Sequence, residues 1–405
     1  MRDTPVDSLI FEEWFDIVIP YEVIQIFRFQ LSYRMKYLLM LSIISLALAG
    51  TVLAQKNKTY NLLVGTYTKP GKSEGIYVYT FNTSSGKLTP KSKATGVQNP
   101  SYLTISRDRK HVYAVKETNE GGVSAFKFDG KSGQLSMLNT VSSGGNGPCY
   151  ISTDDRGRFA FVGNYGGGSI SAIPITSDGS LGSRIQTIQH EGKSVKNNQD
   201  KPHVHAAVLS KDDRFLFVPD LGTDKVNIYN INYATDEPLS PSNFASAEPG
   251  SGPRHFIFDS SGKNAFLIQE MTGVVTAYTY GEGRITSRQS LSLPAAGFTG
   301  KIDAADLHLS PDGKFLYASL RGDINEIVIL SIDNTGIMRY AGRVSTQGKT
   351  PRNFAIDPTG NFLLVANQNS DEVIVFKRDQ KSGMLHPTDQ KISVGSPVCL
   401  LFASE

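Results

Sequence analysis

From residue 97 onward the chain repeats one hydrophobic pattern about every fifty residues: apolar alternation, a Gly/Asp turn, then apolar alternation again. The copies are NPSYLTISRDRKHVYAV (99–115), GPCYISTDDRGRFAFVGN (147–164), HVHAAVLSKDDRFLFVPD (203–220), GPRHFIFDSSGKNAFLIQE (252–270), DAADLHLSPDGKFLYASLR (303–321) and TPRNFAIDPTGNFLLVANQ (350–368). A period of two on both sides of a short polar turn predicts a β-hairpin. A hairpin recurring at this spacing predicts propeller blades, because solenoids use shorter units.

A second motif counts the blades independently. Turns built from Ser, Asp, Asn and Gly punctuate seven outer hairpins: FNTSSGKL (81–88), KFDGKSGQL (127–135), PITSDGSL (174–181), NYATDEPL (232–239), TYGEGRI (279–285), SIDNTGIM (331–338) and RDQKSGML (378–385). The seventh inner hairpin forms by joining the ends, with PVCLLF (397–402) as its inner strand and YNLLVGTYT (60–68) as the next. The predicted fold is an all-β, seven-bladed β-propeller closed by pairing of its N- and C-terminal strands. Such closure removes the exposed edges of an open sheet.

Aligning the repeats predicts where side chains converge. The residues that open the inner strands are Ser101, Cys149, His205, Arg254, Ala305, Arg352 and Val398. The second strands end at Glu117, Tyr165, Leu221, Glu270, Arg321 and Gln368. Both sets belong to the same mouth of the central channel, which therefore gathers His205, Arg254, Arg321, Arg352, Glu117 and Glu270. The opposite face, made of turns such as DRGR and PDGK, offers no comparable set.

Charge and composition narrow the partners. The chain carries 41 Lys plus Arg against 38 Asp plus Glu, scattered rather than in blocks, which argues against nucleic acid. The single tryptophan, Trp14, precedes the repeats, which argues against Trp-motif propellers. Cys149 and Cys399 fall on non-neighbouring blades and are expected to be free thiols, with no zinc spacing. Residues 35–54 read as a signal peptide: Met35-Lys36, an apolar run from Leu38 to Leu48, and the small-residue pattern ending at Ala54. Residues 1–34 form an extension that fits neither a signal nor a blade, and the propeller domain is expected over 58–405. The expected location is therefore periplasmic or secreted, as a monomer with no membrane association after cleavage, or cytoplasmic if 35–54 is not a signal.

Across residues 60–402 the chain resembles the seven-bladed propeller lactonases, the family of 6-phosphogluconolactonase and the fungal muconate-lactonizing enzymes. VGTYTKPGKSEGIYVYTFN, PHVHAAVLSKDDRFLFVPDLGTDKV, GPRHFIFDSSGKNAFLIQE, ASLRGDINEIVIL and PVCLLF carry the resemblance. It implies an active site of one histidine, one glutamate and two arginines, which match His205, Glu270, Arg254 and Arg321. One stretch departs from the family pattern: after Arg321 this chain reads Gly322-Asp323-Ile324, where a more polar Gly-His-Asn-like run is expected.

The chemistry is intelligible from the residue types alone. A lactone is a cyclic ester, so its hydrolysis needs a base for water, donors for the oxyanion and an acid for the departing ring oxygen. His205 or Glu270 can take the proton, and Arg254 and Arg321 are permanent donors. His203, Arg352 and Glu117 are expected to contact the substrate, a lactone or sugar acid. No cofactor is expected, and metal binding by His203, His205 and Glu270 is the weaker reading. Two other classes use the same residues: a cycloisomerase of muconate-type lactones and a non-catalytic binding propeller. The sequence also marks HEGKSVKNNQDK (190–201) as a candidate lid, and His111, His255 and His308 as turn caps.

Overall fold

A computed structural model describes residues 58–404, preceded by helical residues at 21–22, 25–26, 29–30, 33, 35–38 and 40–41 and by residue 20. Most of the expected signal segment, residue 39 and residues 42–54, lies outside the described residues. The chain divides into two compact units, Met1–Asn57 and Lys58–Glu405. No helix of the described residues is long and apolar enough to cross a membrane.

The second unit contains seven four-stranded antiparallel sheets, as the repeat pattern predicts. Blade 1 is ordered β28(Pro397–Ser404)-β1(Thr59–Thr66)-β2(Gly75–Asn82)-β3(Leu88–Thr95). The expected closure is present, with Leu62 opposite Phe402, Val64 opposite Leu400 and Gly65 opposite Cys399. Blade 2 runs β4–β7 (103–141), blade 3 β8–β11 (148–189) and blade 4 β12–β15 (208–246). Blade 5 runs β16–β19 (253–292), blade 6 β20–β23 (304–345) and blade 7 β24–β27 (351–393).

Second strands lie between two apolar layers and read as unbroken hydrophobic runs. β9 (Phe159–Asn164), β21 (Phe315–Leu320) and β25 (Phe362–Asn367) are buried at every position. The outermost strands meet water on one face and alternate, as in β27 (Leu385–Ser393) from Thr388 onward. The core is a ring of seven clusters, each made by two neighbouring blades, such as Phe217, Phe256, Leu267 and Tyr278 between blades 4 and 5. Stability is thus shared around the ring, and the channel mouth is left to polar side chains.

Candidate active site

Two recurrent backbone features build the mouth. The first is a hydrogen bond made in every blade, from the amide just after the second strand to the carbonyl two residues before the inner strand's opening residue. The seven are Tyr67 to Ser396, Glu117 to Asn99, Tyr165 to Gly147, Leu221 to His203, Glu270 to Gly252, Arg321 to Asp303 and Gln368 to Thr350. Each bond ties a second-strand terminus to an inner-strand entry and fixes both at one end of the channel. It also identifies Tyr67 as the seventh terminus, which the alignment omitted although carrying it through YNLLVGTYT would have found it.

The second feature is a β-bulge at the opening residue. In blade 5, Pro253 pairs with Gln269 and His255 with Ile268, so Arg254 is the extra residue. Cys149, Arg352 and Val398 occupy the same place in blades 3, 7 and 1, and Ala305 with Asp306 in blade 6. A bulge bends the strand and re-aims the unpaired side chain, here toward the channel. Cys149, Arg254, Arg352 and Val398 on these bulges line one cavity with the unbulged Ser101 and His205 and with Tyr102, His255 and Asn353. Its free volume is about 10 Å³, room for a single water. Any ligand larger than a water must therefore lie above it.

Beside the cavity, Arg254 donates from Nε to Glu270 Oε2 at 2.7 Å and from Nη1 to the Ala305 carbonyl at 2.6 Å. Arg321 Nη2 lies 3.0 Å from the same Glu270 oxygen and also contacts Asp303 and the Ala304 carbonyl. Burial alone would raise the Glu270 carboxyl, but Arg321, Arg254 and Arg352 outweigh it and hold the group ionised below its usual range. Arg254 is 1 % exposed, so this mouth residue is part of the interior rather than peripheral to it.

His205 is buried over the cavity, with its Nδ1 3.8 Å from the Cys149 thiol. Burial, with Arg254, His255 and Arg352 nearby, pushes its proton affinity well down, so it is a neutral imidazole. Arg352 also lines the cavity, its guanidinium 5.4 Å from the Tyr67 ring and without a hydrogen bond to any described residue. Glu117 accepts from the Tyr67 hydroxyl at 2.9 Å and from Ser101, rather than pairing with Lys116, which reaches Glu120. His203 is set apart from the cavity by Tyr165, stacking on that ring at 4.5 Å and donating from Nδ1 to its carbonyl. The structure therefore brings Arg254, Glu270 and Arg321 into contact, places His205 and Arg352 on the adjoining cavity, and keeps Glu117 and His203 in flanking clusters.

Beneath Arg254 lies a network that the sequence did not reveal. Asp306 is buried and accepts from His255 Nδ1 at 2.8 Å, His308 Nε2 at 2.9 Å and Asn353 Nδ2 at 2.6 Å. Because an ionised carboxylate only accepts, His255 carries its proton on Nδ1, and its Nε2 accepts from Arg254 Nη1 at 3.1 Å. His255 and His308 are thus not turn caps; they are inner-strand residues that anchor the floor under Arg254. His111 alone sits beside a turn, near Asp108. The reason for the misreading is that Asp306 lies about fifty residues from either His255 or Asn353, across blade boundaries.

The turn-bearing end is less bare than the repeat alignment suggests. A groove of about 400 Å³ there is lined by Arg107, Asp108, His111, Asp155, Arg156 and Thr176 among others. Its Arg107–Asp155 pair is largely exposed and so weakly held. Cys149 and Cys399 are free and buried, and burial pushes the Cys399 thiol up to about 12. Among the described residues no group of His, Cys, Asp and Glu is arranged to hold a metal ion. The 190–201 insertion is pinned at both ends: His190 contacts Asp220 at 2.7 Å and Tyr229 at 2.9 Å, and Gln199 donates to the Leu221 carbonyl and Asp224. Any lid movement is confined to the stretch between them.

Comparison with known proteins agrees with this architecture. The family model described as Lactonase, 7-bladed beta-propeller, matches residues 61–402. The 6-phosphogluconolactonase of Formosa agariphila is 37% identical over 344 residues, covering 82% of this chain and 96% of that protein. The 6-phosphogluconolactonase of Bacillus subtilis is 34% identical over 343 residues, covering 84% and 97%. Among solved structures, the periplasmic gluconolactonase of Pseudomonas aeruginosa superposes with a TM-score of 0.83 at 40% identity, covering 85% of this chain and 99% of that one.

Proposed function

The chain belongs to the seven-bladed β-propeller lactonase family, and from that premise we propose that it hydrolyses a sugar lactone to the open-chain acid at the Arg254–Glu270–Arg321 cluster. The observation that carries the reading is the junction of this cluster with a cavity sized for one water and overhung by neutral His205. Water in the cavity attacks the lactone carbonyl while His205 or Glu270 accepts its proton. Glu270 Oε2 is already committed to two arginines, which favours His205. The imidazolium that forms is disfavoured by its cationic neighbours, and the oxyanion arising beside it compensates. Arg254 and Arg321 cannot lose their protons and act as fixed donors to that oxyanion.

Arg352, Glu117 and His203 contact the rest of the substrate, and the uncommitted Arg352 donors suit a carboxylate or phosphate. The segment 35–54 directs export, so the substrate is an extracytoplasmic lactone, unphosphorylated like the gluconolactone implied by the name of the Pseudomonas aeruginosa protein. Steady-state kinetics on glucono-δ-lactone with and without a 6-phosphate test this reading. Turnover is expected with the unphosphorylated ring. Inertness toward both, with intact fold, would leave a cycloisomerase or a binding propeller in its place.

A further inference from the structure

The reaction proposed above leaves one role unfilled, the acid that protonates the departing ring oxygen. We infer that Asp303 is that general acid, poised across Arg321 from Glu270 at the solvent edge of the cluster; this rests on the lactonase reading.

The blade symmetry singles this residue out. Asp303 occupies the position two before the opening residue, whose carbonyl takes the recurrent hydrogen bond. In five blades that position is in the left-handed region, as Asn99 (φ 44°), Gly147 (56°), Gly252 (70°), Thr350 (60°) and Ser396 (45°). Residues there suit a tight turn. Only His203 and Asp303 depart from this conformation, and both carry proton-transfer side chains. His203 is spent on the Tyr165 carbonyl and ring. Asp303 instead meets Arg321 twice, through its side chain at Nη2 and through its carbonyl to the Arg321 amide at 2.8 Å.

One guanidinium nitrogen therefore bridges two carboxylates, and their surroundings differ. Glu270 is held by both Arg254 and Arg321, whereas Asp303 has Arg321 alone; the two side chains are about equally open to solvent, at 19% and 23% exposed. The charged groups around Asp303 are Arg321, Glu270, Arg254 and Lys301. Burial raises its proton affinity, and repulsion from Glu270 adds to this. Arg321, Arg254 and Lys301 oppose it without reversing the direction. Neighbouring carboxyls driven in opposite directions take up a proton in a fixed order, Asp303 before Glu270, which is the order a general acid beside a permanent anion requires.

The step balances without a co-reactant. As water adds to the carbonyl carbon and its proton passes to the base, the acyl–ring oxygen bond breaks. The Asp303 O–H bond breaks with it, and its proton forms the new hydroxyl. The Asp303 carboxylate then takes a proton from solvent through its exposed edge, and the base returns its own to solvent.

The test compares Asp303→Asn with the wild-type enzyme on two lactones, glucono-δ-lactone and dihydrocoumarin. The first expels an alkoxide and needs an acid; the second expels a phenolate and does not. The amide can still accept from Arg321, and thermal melts of Asp303→Asn and Asp303→Glu verify the fold. We expect kcat on glucono-δ-lactone to fall about a hundredfold or more, with dihydrocoumarin nearly unchanged and Asp303→Glu partly restored. In the wild type, kcat should decline as pH rises through the Asp303 titration, and Asp303→Asn should lose that alkaline limb. Equal losses on both lactones, or a variant that keeps the wild-type pH profile, would overturn the inference and leave Asp303 a positioning residue for Arg321. A wild-type enzyme inert toward both lactones would instead sink the lactonase reading, and this inference with it.

Discussion

Arg254 and Glu270 stand sixteen positions apart on the paired strands of blade 5 and meet at 2.7 Å, Arg254 displaced from the ladder by a bulge and Glu270 lying just beyond the strand end. The pair joins the interior to the mouth, since Arg254 is buried and Glu270 is partly open to the channel.

That double character couples the effects of mutation. Glu270→Gln should lower lactone turnover roughly a hundredfold and should also lower the melting temperature, because it leaves buried Arg254 and Arg321 without their shared carboxylate. Arg254→Ala should cost activity by a similar factor and also up to about 3–5 kcal/mol of stability, because it strips a partner from a buried ion pair. Measuring kcat and thermal melting on the same preparations checks both. An Arg254→Ala protein as stable as the wild type would show that the pair is not structural.

The Asp306–His308 pair predicts a pH window for stability. Burial would raise the Asp306 carboxyl, but His308 and the hydrogen bonds from His255 and His308 hold it far below its usual range. Its contribution is therefore present above the unfolded carboxylate value of about 3.9 and is lost as pH falls. Burial opposes charge on His308, yet Asp306 raises its affinity overall. Its contribution is complete below about 6.5 and is lost as pH rises through the folded value. The melting-temperature gap between wild type and His308→Gln should be largest between about pH 4 and 6.5 and should shrink toward pH 9. His255, held neutral with a pKa lowered to about 4, acts in the opposite sense but is common to both proteins. A gap that widens from pH 6.5 to 9 would refute the assignment.

Removing the last ten residues deletes β28 and leaves the facing edge of β1 unpaired along Tyr60 to Thr66. Those backbone groups are buried, so the loss should unfold the whole ring rather than fray one blade. Circular dichroism of the truncated protein decides this. A cooperative native-like melt would show that six blades and a partial seventh suffice.

If residues 35–54 are removed on export, the mature protein begins at Gln55. Intact-mass measurement of protein recovered from the native host should give that start. A full-length form beginning at Met1 in the cytoplasm would refute export and restore a phosphorylated cytoplasmic metabolite as the leading substrate.

The blade count and the closure of the ring were legible in the sequence because they depend on local signals: period-two alternation, Gly/Asp turns and the apolar PVCLLF that matches an inner strand. Placing His205, Arg254, Glu270 and Arg321 at one end was equally local, since each occupies a fixed position in its repeat. The contacts among them were not. Bulges at Cys149, Arg254, Arg352 and Val398 follow from how paired strands register, and only the folded ladder shows which residue is extra. Asp306 read as one residue of an inner strand until His255, His308 and Asn353 closed around it. Asp303 likewise gained its meaning from Arg321 and from the six other blades that fill its position differently. Repetition along the chain determines the scaffold, because every blade solves the same local problem, and it sets Arg254 beside Glu270 and Asp303 beside Arg321 within single repeats; the links that join these pairs into one site, Arg321 to Glu270 and His255 to Asp306, form only where blades meet.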